Sequence, residues 1–325
     1  FRAVSEGHAG TGRVRLIENG KLRRDPYAHI KRVAPNGEGG LMGIALHPEY
    51  ATTRHVYLMY SYRFAGKPYN RVSVFDDTGK TLTNEKVLID GIPGASYHNG
   101  GSLRFGPDRM LYIGTGDGGH PAAAQDRKSL NGKILRITPD GKPADGNPFA
   151  NSPVYAYGFR NVQGLAWNPS NGELWATNHG PTGEWGLQAM DSVFIVKKGG
   201  NYGWPKSLGV TSVKGVTPPI LWFPRNSVPP ALAIFYRTKK IPQLDGNFLF
   251  ASLRDECLYR VVLSAPHTVG RIEKWFSTGV HKGRFGRIRA VAEGPAGLIY
   301  ITTSNRDGRG TVRPNDDHIY RITAK

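Results

Sequence analysis

The chain has 325 residues with a formal net charge of +18, and 42 of its residues are glycine and 23 are proline. Charged residues make up 21% and hydrophobic residues 39%, as in ordinary globular proteins, and no uncharged apolar run is long enough to cross a bilayer. The single cysteine, Cys257, excludes an intrachain disulfide and an all-cysteine metal site. The basic residues are scattered and match no nucleic-acid motif, so they favour a solvated basic surface, which is compatible with a local pocket for an anion. The chain begins with Phe1 rather than methionine, which indicates a processed or truncated chain.

A short apolar strand motif with a basic residue nearby recurs six times along the chain. Its copies are Val14-Arg15-Leu16, Val72-Ser73-Val74, Leu135-Arg136-Ile137, Phe194-Ile195-Val196, Tyr259-Arg260-Val261 and Tyr320-Arg321-Ile322. The last residues of successive copies are 58, 63, 59, 65 and 61 positions apart. A nearly constant period of this kind indicates a repeat architecture.

A second motif, a turn with proline that leads into an apolar strand, follows the same period. The turns begin at His47-Pro48, Gly106-Pro107, Asn168-Pro169 and Gly294-Pro295, and Leu244-Asp245-Gly246-Asn247 takes the place of the missing copy. The prolines are 59, 62 and 126 positions apart, and the last interval is two periods.

Strands rich in Val, Ile, Tyr and Phe between Gly, Pro, Asn and Asp turns predict antiparallel β-structure, and helical periodicity is hardly visible. Six all-β units of one period predict a single domain over residues 1–325, an all-β six-bladed β-propeller with four-stranded antiparallel blades. A two-sheet sandwich of similar strand content does not explain the constant period. The first copy begins almost at the start of the chain, so we expect the first blade to be incomplete and to lack its inner strand.

Glycine-rich segments between the repeat strands collect the residues that carry chemistry. They are residues 37–40, 97–101, 114–119, 157–164, 178–181 and 200–205, with Ser252-Leu253-Arg254 and Gly286-Arg287-Ile288-Arg289 later in the chain. Taken singly, each is ambiguous. His98 is also compatible with a structural histidine, Asp117 with an ordinary turn residue, and Arg287 and Arg289 with a solvated strand face. The segment 114–119 is not a dinucleotide fingerprint, because no helix follows it.

Taken together and in this order, the segments resemble the soluble sugar dehydrogenases that depend on pyrroloquinoline quinone (PQQ), in particular the aldose sugar dehydrogenase branch. The most specific matches are His98-Asn99-Gly100-Gly101, residues 157–164, His179-Gly180-Pro181 and Asn201-Tyr202-Gly203-Trp204-Pro205. The resemblance implies oxidation of the anomeric hydroxyl of an aldose to a lactone, with hydride transfer to PQQ. It also implies a bound calcium ion, an external electron acceptor and a periplasmic or extracellular location.

The resemblance assigns roles to individual positions. His98 matches the general base, Asp117 the carboxylate that orients it, and Arg160 the cation that stabilises charge on the quinone oxygen. The positions that match cofactor-binding residues are Glu38, His98, Arg160, Asn161, Gln163, Arg254, Arg287 and Arg289. Arginine suits the three carboxylates of PQQ because its charge is permanent and its donors are planar. The backbone carbonyls of Gly180 and Pro181 match the calcium ligands, and calcium prefers hard oxygen donors.

Some positions depart from the family pattern. Asp191-Ser192-Val193-Phe194 lacks the Glu and Asn that help to hold a further calcium in the family, so the sequence leaves open whether that second structural ion is retained. Arg254 stands where lysine is frequent, and Ala290 where aspartate is frequent. These departures leave room for a propeller that binds an extracellular partner without catalysis, although such a module has no need for the base and the arginines. A calcium-dependent lactonase-like hydrolase requires converging Asn, Asp and Glu side chains, which the sequence does not assemble, and a basic surface binder is the remaining alternative.

Overall fold

The computed structural model describes residues 3–6, 12–210, 212–279 and 282–323. Regular structure in these ranges is almost entirely strand, with one four-residue α-helix, α1 (Tyr50–Thr53). Four short 3-10 helices are Pro121–Ala124, Glu184–Gly186, Pro242–Leu244 and Pro295–Gly297. The chain divides into two compact units: the first runs through Val162 and includes Lys198–Pro205, and the second includes Gln163–Lys197 and continues from Lys206.

The first unit contains three antiparallel sheets. The first sheet consists of β1 (Ala3–Glu6), β2 (Gly12–Glu18), β3 (Lys21–Leu22) and β4 (Ala28–Ile30). The second, in the order β5-β6-β7-β8, consists of β5 (Leu41–Leu46), β6 (His55–Phe64), β7 (Lys67–Asp77) and β8 (Leu82–Pro93). The third, in the order β12-β11-β10-β9, consists of β9 (Ser102–Phe105), β10 (Leu111–Gly114), β11 (Lys133–Ile137) and β12 (Val154–Tyr157).

The four strands of the first sheet occupy only three strand positions, because β3 and β4 share one position beside β2. This agrees with the predicted incomplete first blade. Strand β2 pairs with β1 along residues 13–16, and β3 and β4 pair with successive parts of β2, as two pieces of one interrupted strand. In β2 the side chains of Val14 and Leu16 are buried, whereas Arg13 and Arg15 are partly exposed. This alternation directs one face of the strand into the apolar core.

The second unit contains two four-stranded sheets, a two-stranded ribbon and a three-stranded sheet. The first sheet runs β13 (Val162–Trp167), β14 (Leu174–Asn178), β15 (Asp191–Val196) and β16 (Leu221–Phe223). The next runs β17 (Pro230–Phe235), β18 (Phe248–Ser252), β19 (Cys257–Ala265) and β20 (Thr268–Trp275). The ribbon pairs β21 (Ser277–Gly279) with β22 (Lys282–Gly283), and the last sheet runs β23 (Ile288–Glu293), β24 (Ile299–Thr303) and β25 (Ile319–Ile322).

Each unit has its own apolar cores between sheets. In the first unit, Leu58 and Tyr60 of β6 pack with the apolar face of β2. In the second, Trp175 of β14 and Phe248 of β18 pack with their rings 5.1 Å apart. Strands such as β10 and β18 are buried on both faces, because side chains of neighbouring sheets cover each side.

The predicted fold class, an all-β six-bladed propeller, is confirmed. In the described ranges, six antiparallel sheets of three or four strands follow one another along the chain, and each copy of the apolar strand motif lies in one of them. The motif strands are β2, β7, β11, β15, β19 and β25. No helix in the part of the chain that the structure describes is both long and apolar enough to span a membrane.

Candidate active site

In the first unit, the loop before β5 packs directly on the loop that carries His98. Gly37 has a left-handed φ of 58°, and a Cβ atom on it would lie 2.1 Å from the Ser96 carbonyl oxygen, so the approach requires glycine. The next residue, Glu38, donates its backbone N–H to the same Ser96 oxygen at 2.7 Å. Its side-chain Oε2 accepts the backbone N–H of His98 at 2.9 Å. Glu38 therefore fixes the backbone of the predicted base.

His98 itself has a left-handed backbone, with φ at 56°. This conformation costs a non-glycine residue on the order of 1 kcal/mol, so the surrounding structure must hold it. The His98 carbonyl accepts the N–H of Gly118 at 3.0 Å, and a Cβ on Gly116 would lie 2.0 Å from that carbonyl oxygen. The backbone clamp determines the direction in which the imidazole leaves the chain.

The imidazole of His98 and the carboxylate of Asp117 form a buried pair, with 6% and 0% of the residues exposed. His98 Nδ1 lies 2.8 Å from Asp117 Oδ1. Asp117 also accepts the Gly119 N–H at Oδ1 at 2.9 Å and the Trp204 indole N–H at Oδ2 at 2.8 Å. A carboxylate in this position accepts a proton-bearing Nδ1, which leaves the lone pair on Nε2. The arrangement is that of an oriented general base.

Arg160 and Asn161 hold the other side of this cluster. The Arg160 carbonyl accepts the Asp117 N–H at 2.8 Å, and its guanidinium lies 5.6 Å from the centre of the Trp204 ring, with the residue only 2% exposed. Asn161 is fully buried, and its Oδ1 accepts the backbone N–H of Gly100 at 2.9 Å. A buried positive charge therefore lies close to the pair formed by the histidine and the aspartate.

Trp204 is anchored by a glutamine far away in the sequence. Gln125 Nε2 donates to the Trp204 carbonyl at 2.7 Å and to Asn201 Oδ1 at 2.9 Å. Asn201 returns a hydrogen bond from Nδ2 to Gln125 Oε1 at 3.0 Å. The indole that donates to Asp117 is thus fixed through the loop that contains Gln125.

The ammonium group of Lys133 is fully buried and contacts the loop that precedes Lys133 and contains Gln125. Its Nζ donates to the carbonyls of Ala123, Ala124 and Asn131 at 2.8, 3.0 and 2.5 Å, which accounts for all three donors of the group. Burial lowers the pKa of Lys133 from its ordinary 10.5 to about 7, and the charge of Asp126 partly opposes this shift. Lys133 is therefore a buried titratable group that holds the segment that includes Gln125 through hydrogen bonds.

This pKa makes stability depend on pH in a defined direction. Between pH 7 and pH 10.5 the unfolded lysine is protonated while the folded one has lost its proton, so the free energy of unfolding rises as the pH rises. From pH 7 to pH 9.5 we expect Lys133 to contribute an increase of up to about 3 kcal/mol, at ~1.4 kcal/mol for each pH unit. Urea unfolding of the native protein and of Lys133→Met at both pH values measures this contribution as a difference.

The comparison with Lys133→Met removes the general effect of net charge, which both proteins share. Lys142→Met serves as the matched control, because Lys142 is exposed in the turn after β11. We expect Lys142→Met to keep the pH dependence of the native protein. An identical pH dependence in Lys133→Met would contradict the prediction.

In the second unit, Gly180 and Pro181 present buried backbone carbonyls. The Gly180 N–H donates to Asp191 Oδ1 at 2.9 Å, and Asp191 Oδ2 accepts the Val228 N–H at 2.7 Å. Neither the Gly180 nor the Pro181 carbonyl accepts a hydrogen bond from any described residue. Buried carbonyls usually have a partner, so these two are available as oxygen ligands.

Asp191 has a structural role in the same place. Both of its carboxylate oxygens accept backbone N–H groups, and the neighbouring Ser192 hydroxyl donates to the Met190 carbonyl at 2.9 Å. Within the described ranges, no three His, Cys, Asp or Glu side chains are grouped so that they could hold a metal ion. A metal in this unit would therefore depend on backbone oxygens.

Arg289 on β23 and Arg287 just before this strand both contact one buried carboxylate. Arg287 donates to Asp307 Oδ2 from Nε at 3.0 Å and from Nη2 at 2.8 Å, and Arg289 Nη2 reaches the same oxygen at 3.2 Å. Burial tends to raise the pKa of Asp307, but the two guanidinium groups prevail and hold it below its usual value. Two cations against one anion leave this cluster with a net positive charge.

The remaining predicted residues of the second unit lie on strand and turn positions. Gln163 is half-buried on β13, and Arg254 is exposed in the turn between β18 and β19. The next residue in that turn, Asp255, is buried and pairs with Lys274 Nζ at 2.6 Å. Asp255 therefore helps to fix the turn that carries the exposed Arg254 cation.

The chain matches a known protein family over most of its length. The family model described as Glucose / Sorbosone dehydrogenase matches residues 8–316. The chain belongs to this family. It is 31% identical over 325 residues to Aldose sugar dehydrogenase YliI of Escherichia coli (strain K12), which covers 91% of this chain and 83% of that protein.

Two further relatives of this glucose/sorbosone dehydrogenase are informative. The PQQ-bound form of Aldose Sugar Dehydrogenase from Streptomyces coelicolor is 36% identical and covers 98% of this chain and 89% of its own, with a TM-score of 0.85. Quinoprotein glucose dehydrogenase B of Acinetobacter calcoaceticus is 30% identical over 210 residues, which cover 55% of this chain and 42% of that protein. The predicted resemblance to the sugar dehydrogenases is confirmed.

Three residues of this family member were not assigned a role from the sequence. Trp204 lies in a segment that carries the resemblance, yet its hydrogen bond to Asp117 joins positions 87 apart. Lys133 begins strand β11, two positions before a copy of the strand motif, and Asp307 follows the last recognised segment by 18 positions. No periodic pattern marks any of the three: Trp204 acts through a partner 87 positions away, and Lys133 acts through backbone carbonyls, which carry no sequence signal.

Proposed function

We propose that this glucose/sorbosone dehydrogenase oxidises the anomeric hydroxyl of an aldose to a lactone, with PQQ as its electron-accepting cofactor and calcium as a second cofactor. The observation that carries the proposal is the buried pair of His98 and Asp117, with Nδ1 and Oδ1 2.8 Å apart. Its support from comparison is the PQQ-bound aldose sugar dehydrogenase of 36% identity.

Oxidation of an aldose at its anomeric carbon requires a base for the hydroxyl proton while hydride leaves the same carbon. In our proposal His98 Nε2 takes that proton, because Asp117 keeps the other ring nitrogen protonated. Asp117 then stabilises the imidazolium that forms, and its two further hydrogen bonds keep the carboxylate in place. PQQ, when bound, supplies the two-electron acceptor for the hydride.

The charges of the chain fit an anionic cofactor with three carboxylates. Arg160 provides a buried guanidinium, and we propose that it balances negative charge that develops on the cofactor. Arg287 and Arg289 share the single carboxylate of Asp307, so the cluster keeps a positive charge that a cofactor carboxylate can balance. We propose that these three arginines and the exposed Arg254 bind the cofactor.

Three further positions that match cofactor-binding residues are uncharged or acidic. Asn161 and Gln163 lie two positions apart in the chain, where the first is buried and the second half-buried. Glu38 is already committed through Oε2 to the His98 backbone. We propose that Glu38 acts chiefly by fixing the base, and that Asn161 and Gln163 line the cofactor.

The carbonyls of Gly180 and Pro181 fit calcium as hard oxygen ligands without partners among the described residues. We propose that they bind the ion, which acts as a Lewis acid toward the cofactor. Asp191 holds the Gly180 backbone by its N–H and thereby directs the peptide. We further propose an external electron acceptor and a periplasmic or extracellular location, by resemblance to the family.

Reconstitution tests this proposal. The purified protein is stripped of metal with a chelator, then given PQQ and calcium separately and together, and dye reduction is followed with a panel of aldoses. We expect reduction of the dye only when both additives are present, with one or a few aldoses preferred, and the lactone as the product. Failure of the protein to bind PQQ, or dye reduction that does not depend on it, would overturn the proposal.

A further inference from the structure

A large aromatic side chain lies exposed beside the proposed base. Tyr97 precedes His98 in the chain, and its ring centre lies 4.6 Å from that of the imidazole at an angle of 76°. His98 is only 6% exposed, whereas Tyr97 is 44% exposed. A partly exposed tyrosine is common on protein surfaces, but at this position it offers an aromatic face to a ligand that reaches the proposed base.

The far end of the Tyr97 ring lies over the glycine turn that supports Asp117. A Cβ atom on Gly119 would lie 3.3–3.4 Å from the phenol end of Tyr97, and φ at Gly119 is 73°. A side chain at position 119 would therefore be strained and would crowd the ring. The turn leaves one side of Tyr97 supported and the rest open to solvent.

The hydroxyl group of Tyr97 has no hydrogen-bond partner among the described residues. Several other tyrosines of the first unit donate to a carboxylate: Tyr60 to Glu85, Tyr62 to Asp90 and Tyr112 to Asp108. Tyr97 thus combines an exposed ring face with a free donor and acceptor, and both point to a ligand with apolar faces and hydroxyl groups.

We propose that Tyr97 is a substrate-binding residue, on which the aldose ring packs and to which a sugar hydroxyl hydrogen-bonds. This inference rests on the proposed function. In this proposal, a sugar whose anomeric hydroxyl reaches the base also lies against Tyr97, whose ring centre is 4.6 Å from that of the imidazole. The C–H face of a sugar is apolar enough to pack on an aromatic ring, while its hydroxyl groups satisfy the phenol. Tyr97 therefore contributes to the choice and the affinity of the substrate rather than to proton transfer.

The test compares Tyr97→Ala and Tyr97→Phe with the native protein reconstituted with PQQ and calcium, on the preferred aldose. We expect Tyr97→Ala to raise KM about tenfold or more and to change kcat less than threefold. Tyr97→Phe keeps the ring, and we expect it to raise KM by a smaller factor. Phe64→Ala is the matched control, because Phe64 is an exposed aromatic, 70% accessible, at the end of β6.

Cofactor titration, followed by absorbance, separates a substrate role from a structural one. We expect the PQQ affinity of both Tyr97 variants to stay within twofold of the native value. An unchanged KM in Tyr97→Ala, or a parallel loss of PQQ affinity, would overturn the inference. Inactivity of the native protein with both additives would instead refute the proposed function, so the two failures are distinguishable.

Discussion

His98→Ala is expected to lower kcat by about 10²–10⁴-fold, which is the range for loss of a general base. The reason is that Nε2 of His98 is the nitrogen left with a lone pair by the hydrogen bond of Nδ1 to Asp117. We expect the variant to bind PQQ as the native protein does, and we expect added imidazole to restore part of the rate. The measurement is steady-state dye reduction with the preferred aldose, with and without imidazole.

His29→Ala is the matched control for this variant, since His29 is exposed on the short strand β4. It is expected to keep the native kcat. A His98→Ala variant that retains kcat within tenfold of the native value would exclude His98 as the base. In that case the acid–base role would have to be sought elsewhere in the chain.

Asp117→Asn is expected to lower kcat by about 10²–10⁴-fold while the fold is preserved. Asparagine with its oxygen in the place of Oδ2 can still accept the indole N–H of Trp204, but its amide nitrogen then stands in the place of Oδ1 and leaves the Gly119 N–H without that acceptor. Its amide then donates to Nδ1, so the ring must carry its proton on Nε2 and can no longer act as a base. The measurement is kcat together with the thermal midpoint, which we expect to change much less than the rate.

Two comparisons sharpen this prediction. Asp140→Asn removes an exposed carboxylate of the first unit and is expected to leave kcat unchanged. Trp204→Phe removes one of three donors to Asp117 but leaves the carboxylate on Nδ1, so we expect it to lower kcat less than Asp117→Asn does. Equal loss in Trp204→Phe and Asp117→Asn would contradict the tautomer argument, because only the latter changes the partner of Nδ1.

The fold could be predicted from the sequence because the pattern that marks a strand lies within a few neighbouring residues. Copies of the apolar motif such as Leu135-Arg136-Ile137 fall inside strands, and the turns with proline lie just before β6, β10, β14 and β24. The reduced depth of the first sheet was also expected from the position of the first copy, although one strand, β1, precedes that copy. The division of the outer strand of that sheet into β3 and β4 was not, because Lys21–Leu22 and Ala28–Ile30 are too short to show a pattern.

The pairing of His98 and Asp117 could be anticipated from the sequence, but the contacts that support the pair could not. The segments around His98 and Asp117 carry the resemblance, so the pair could be named in advance, and the structure brings the two side chains together. The hydrogen bond from Trp204 to Asp117 and the ion pair from Arg287 to Asp307 depend on how distant loops pack. Contacts between residues that are far apart in the chain leave no periodic signal in a single sequence, so these supporting contacts are seen only in the folded structure.

The ammonium group of Lys133, surrounded by three carbonyl oxygens, has the surroundings that a bound monovalent cation would have. Here, however, the amine is covalently part of the chain, so a chelator cannot remove it and only the loss of its proton removes the charge. The loop that supports Trp204 is therefore independent of the metal supply, whereas an ion at Gly180 and Pro181 would exchange with solvent. Under metal depletion, the hydrogen bonds around Trp204 are therefore expected to stay in place.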